Sequence, residues 1–161
     1  MGAIRRDKLG MLITREDGSV GYFAKAHAAL VAGQPYIITP TTESVTVEGV
    51  AVVSGIAVTE APTAVATVSR RCGVADKAYA TGDIAFLIAG GEVEAKVEGT
   101  TDVVSGDFLK LAPGTTATAL IKDGTTETNS SVALAVDAQA ANSEVIVTVM
   151  MLGTTHKVIN T

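Results

Sequence analysis

The chain has 161 residues, 17 of them acidic and 12 basic, for a formal charge of -5. That length is one ordinary domain, and an acidic chain whose basic clusters, Arg5-Arg6 and Arg70-Arg71, lack interleaved aromatics is poorly suited to bind nucleic acid. With three Phe, three Tyr and no Trp, the core must be filled by Val, Ala, Ile and Leu at roughly 1.5–3 kcal/mol per buried side chain, and so thin a core gains from a partner subunit.

Residues 1–25 are charge-dense and read as an N-terminal arm and hairpin. Asp17-Gly18 lies between the apolar residues of MLITRE and SVGYF, and Asp-Gly takes the positive dihedrals of a tight hairpin turn. MGAIRRDKLG carries charge without the apolar stretch of a secretory signal, and no later apolar run reaches the ~20 residues that span a bilayer. AKAHAALVAG is compatible with two or three helical turns stopping at Gly33, or with an extended linker.

From Pro35 the pattern is strand and turn: PYIITP, SVTVEGVAVVSGIAV, AVATVSRRCGVA, DIAFLIAG, EVEAKVEG, DFLKLA, ATALIKDG, SVALAVDA and EVIVTVMML. β-Branched residues favour extended backbone, and many of these runs alternate apolar with polar residues. Turns are expected at Gly49, Gly55, Gly90-Gly91, Pro113-Gly114 and Asp123-Gly124. Residues 26–152 are therefore expected to form one all-β domain, a small barrel or sandwich of β-tulip-like or jelly-roll-like type, followed by a tail at 153–161. TGDIAFL (Thr81 to Leu87) echoes SGDFLKL (Ser105 to Leu111), which reads as recurrent turn chemistry ahead of similar strands. AQAANS, Ala138 to Ser143, fits a helical turn or a loop.

Catalytic chemistry is sparse. His27 and His156 are the two neutral-pH proton shuttles and lie near opposite ends of the chain. Cys72 is the single cysteine, so no intrachain disulfide can form, and it reads as a buried structural thiol although Arg70-Arg71 precede it. Alternation in EVEAKVEG puts Glu92, Glu94, Lys96 and Glu98 on one solvated strand face opposite Val93, Ala95 and Val97, not in a converging calcium site. No GxxxxGK[ST] or GxSxG occurs. Lys96 and Lys110 sit inside apolar runs, away from the hairpin tip that a biotinyl or lipoyl carrier uses. No catalytic residue, cofactor or metal is expected, and no membrane association.

The order ALVAGQPYIIT, then SGIAV (Ser54 to Val58), then TGDIAFL, then the closing EVIVTVMML resembles the small tailed-phage capsid decoration, or cement, proteins once misdescribed as recombinases, over roughly Leu30 to Leu152. The longer charged N-terminal hairpin and the threonine-rich 113–131 stretch depart from that family's pattern. The resemblance implies a structural virion protein, made in the host cytoplasm and placed on the capsid exterior. It would trimerise at three-fold positions of an icosahedral head, contact the major capsid protein through its arm and stabilise the expanded shell. In that arm Leu9, Met11, Leu12 and Ile13 would be apolar anchors, and Arg5, Arg6 and Arg15 partners for capsid carboxylates. The alternative is a tail- or fibre-associated receptor-binding β-module.

Overall fold

The computed structural model describes residues 9–47, 50–60, 71–98, 101–111, 119–128, 130–140 and 144–153, with side chains described outside 39–60 and 71. Among them there are ten strands and no helix: β1 (Leu12–Thr14), β2 (Val20–Lys25), β3 (Pro35–Val47), β4 (Val50–Glu60), β5 (Arg71–Ala75), β6 (Ile84–Glu98), β7 (Phe108–Leu111), β8 (Leu120–Gly124), β9 (Ala133–Ala135) and β10 (Glu144–Leu152). The all-β class expected from the alternating Val, Ile and Thr runs is what forms, and of the barrel and the sandwich left open it takes the barrel.

The strands close two five-stranded rings that share β6. In the first, β2 pairs with the N-terminal half of β6, which pairs with β5, then β3, then β4, and a parallel bridge at Lys25↔Val58 brings β4 back to β2. In the second, the C-terminal half of β6 pairs with β10, then β9, β7 and β8, and a parallel bridge at Val97↔Leu120 closes the ring. The two rings have one topology: β2, β3, β4, β5 and the first half of β6 are matched in order by the second half of β6, β7, β8, β9 and β10. Each ring has its own core. Tyr22, Ala24, Tyr36, Ile38, Ala85 and Leu87 fill the first; Val97, Val103, Leu109, Leu120, Ala133 and Val149 fill the second.

The loops repeat as well. In the first barrel Leu30 bridges Tyr79, and in the second Val103 bridges Gln139. The Gly82 N–H donates to the Ala26 carbonyl and the Ala26 N–H to that of Asp83, both at 2.8 Å. Gly106, Ala135 and Asp107 make the same two bonds at the same length. The echo between TGDIAFL and SGDFLKL is thus a recurring structural joint. Asp83 Oδ2 accepts the Ala80 N–H and Asp107 Oδ2 that of Val104, each at 2.9 Å. The loop before β3 has Gln34 instead of an aspartate, and the Tyr36 hydroxyl takes the Val31 N–H at 2.9 Å.

Several expectations change. Gly90-Gly91 is not a turn: β6 runs through it, and Gly91, at φ +90° with open space around it, kinks the strand from one barrel into the other. Gly55 lies inside β4 opposite Thr42. AKAHAALVAG is not helical, because its backbone groups bond to β5, β6 and the Tyr79 loop instead of to each other. The Asp17-Gly18 hairpin forms, with Gly18 at φ +85° and the register Leu12↔Tyr22, Ile13↔Gly21, Thr14↔Val20. Its second strand, β2, grouped on sequence with the arm, is a stave of the first barrel. Gly49, Pro113-Gly114 and the tail from Thr154 lie outside the described residues.

Candidate functional site

Cys72 is half-buried on β5, and desolvation pushes its thiol up to about 11, so it is protonated at neutral pH. His27 is exposed on the loop after β2, and His156 lies outside the described residues. Glu92 and Glu94 are exposed, Lys96 and Glu98 half-buried, and Ala95 and Val97 buried, the alternation read from the sequence. Lys96 pairs with Glu144 across to β10. No three His, Cys, Asp or Glu side chains among the described residues gather in a way that could hold a metal. A shallow depression between the barrels is floored by Ile88, Val93 and Ile146.

Two ion pairs tie β7 to β8. Lys122 reaches Asp107 at 2.6 Å, and Lys110 reaches Asp123 at 3.0 Å. Both carboxylates are covered, with side chains 1% and 4% exposed. Burial works to raise the Asp107 pKa, but the hydrogen bonds from Lys122 and the Val104 amide outweigh it and hold the group below the ordinary carboxylate value. Asp123 is held down in the same way: burial is opposed by bonds from Thr128, Ser131 and Lys110.

The arm is the remaining candidate. Arg5 and Arg6 lie outside the described residues. Leu9 is half-buried and packs on the first core, so it anchors the arm to its own barrel. Met11 and Leu12 are 55% and 48% exposed, whereas Ile13 is half-buried. β1 pairs with β2 on one side and with no other described strand, so it is a sheet edge with Leu12 exposed on it and Met11 exposed at its start.

Arg15, expected to meet a carboxylate on a partner, meets one in its own chain. Its Nη1 is 2.8 Å from Asp76 Oδ2, and its guanidinium lies 4.2 Å from the centroid of the Phe86 ring. The other Asp76 oxygen accepts the Tyr79 hydroxyl at 2.6 Å, and that hydroxyl accepts the Phe86 N–H at 3.1 Å. Burial and the bond to Asp76 push Tyr79 up to about 12. Asp76 and Tyr79 were not singled out in the sequence, and the 61 residues between Arg15 and Asp76 leave no local signal that could have paired them.

No protein-family model and no curated protein matches the chain. Among solved structures it is similar to the head fiber gp8.5 N base of bacteriophage phi29, at 15% identity and a TM-score of 0.44, over 88% of this chain and 98% of that one. A likeness at that level transfers neither function nor partner.

Proposed function

We propose that this chain is a non-catalytic structural protein of a tailed-phage virion, a cement protein that binds the outer surface of the expanded head through its N-terminal arm. The observation that supports an interaction role is the arm's edge strand, where Leu12 on β1 and Met11 just before it stand exposed and β1 is hydrogen-bonded on one side among the described residues. The ion pairs among the described residues lie within a barrel, Arg15–Asp76 on the first and Lys96–Glu144, Lys110–Asp123 and Lys122–Asp107 on the second. The order of ALVAGQPYIIT, SGIAV, TGDIAFL and EVIVTVMML adds the resemblance to decoration proteins. In this reading a trimer at three-fold positions clamps neighbouring major capsid subunits and stabilises the assembled lattice by burying surface that only that lattice offers.

The test is co-sedimentation of the purified chain with expanded and unexpanded heads, beside a deletion of residues 1–11 and the double variant Met11→Ser/Leu12→Ser. The deletion stops before β1 because β2 is a barrel stave and cannot be removed without opening the first ring. Saturable binding to expanded heads, lost in both variants, is expected. Intact protein that binds neither form of head overturns the reading, and binding to a host glycan instead would move the chain to the tail- or fibre-associated receptor-binding class.

A further inference from the structure

We infer that Arg15 is a positioning residue that fixes the direction in which the arm leaves the barrel, and that it acts through Asp76 and Phe86 instead of touching the arm's partner. This rests on the reading of the arm as the binding element and adds the device that aims it.

β1 is three residues long with three rungs to β2, and its Leu12 and Thr14 are exposed. β2 is a barrel stave, so β1 is a short edge strand added to a closed sheet, and three rungs alone leave it prone to fray. Leu9, packed on the first core, holds the strand on its N-terminal side, and the turn that follows β1 holds it on the other. Arg15 is clamped by a charge-assisted bond to Asp76 and by stacking on a Phe86 ring that is fully buried. Asp76 is itself held by Tyr79, which is tied to the β6 backbone at Phe86. The chain of contacts therefore runs from the arm's turn to the strand common to both barrels.

An arm fixed in this way loses its conformational freedom on folding, not on meeting a partner, so more of the contact energy remains for binding. An arginine reserved for a partner's carboxylate would instead stand in water. Arg15 is 34% and Asp76 16% exposed, so the pair is partly sheltered.

The experiment compares the full chain with Arg15→Met, Asp76→Asn and the double variant in two readouts: amide exchange of Leu12–Thr14 in the free protein, and affinity for expanded heads by co-sedimentation. Met keeps an apolar stem over Phe86, and Asn keeps an acceptor for Tyr79, so the two single variants disturb folding differently. Each single variant is expected to speed exchange and weaken head binding by about tenfold, with the double no worse than either, because the two residues act as one unit. Two results overturn the inference: exchange unchanged in both variants, or binding weakened by Arg15→Met but intact in Asp76→Asn, which would put Arg15 in direct contact with the partner. Wild-type protein that ignores heads defeats the proposed function alone, since the exchange arm still decides whether Arg15 aims the arm.

Discussion

Three glycines show how different requirements arrive at the same residue. Gly21 on β2 lies where β6 crosses so closely that a β-carbon would run into the Leu87 carbonyl oxygen and come within 2.9 Å of Phe86 Cζ. Gly73 on β5 meets the other side of that crossing, with Leu87 Cβ and the Ile88 carbonyl oxygen at 2.9 Å. Gly82 has open space but sits at φ +90°, where L side chains are strained. Gly21→Ala should therefore cost about 3 kcal/mol or more, since backbone must move, whereas Gly82→Ala should cost about 1–2 kcal/mol from dihedral strain alone. Urea midpoints of the two variants check this, and Gly82→Asn should recover part of the loss because Asn tolerates positive φ. Equal losses at the two sites would mean that the β2–β6 crossing relaxes.

At the scale of elements, the β7–β8 hairpin is stapled by Asp107–Lys122 and Lys110–Asp123. Both aspartates are held below the ordinary carboxylate value in the fold. A group depressed in the folded state adds stability that is present above its unfolded pKa and is lost as pH falls through its folded pKa. Thermal midpoints should thus be flat above about pH 5 and fall below about pH 4, the unfolded aspartate value. Lys122→Met should lower stability at neutral pH by about 2 kcal/mol, the worth of a hydrogen bond to a charged group. That loss should shrink in acid, once Asp107 is neutral in the wild type too; a loss independent of pH would assign the effect to packing by the lysine stem. The strands carrying these pairs were legible: DFLKLA and ATALIKDG read as β runs from their Leu, Ile and Ala pattern. The cross-strand pairing was not, because alternation marks the face of a residue but not its neighbour. Arg15 was likewise legible as a charge, while its partner came from a loop after β5.

For the whole molecule, the sequence announced many strands but not that they form one topology twice. The bridging place in the four loops is held by Leu30, Tyr79, Val103 and Gln139, four residues with no common side chain, because backbone bonds make the joint. The Gly90-Gly91 pair, which normally punctuates, here lets one strand serve two barrels. That sharing has a thermodynamic consequence. Residues 84–90 of β6 ladder onto β2 and residues 90–98 onto β10, and adjacent β5 residues Val74 and Ala75 point into different cores. Opening either barrel strips one half of the strand that completes the other, so the two should unfold together. Leu87 and Leu109 are fully buried, one in each core. Leu→Ala at either site removes apolar contact and leaves a cavity, at about 2–5 kcal/mol, or roughly 5–15 °C in Tm for a chain of this size. Scanning calorimetry should show a single transition whose van't Hoff and calorimetric enthalpies agree in the wild type and in both variants, shifted as a whole by each. Two transitions, with Leu87→Ala moving one and Leu109→Ala the other, would mean that the kink at Gly91 decouples the barrels and that β6 joins them only as a tether.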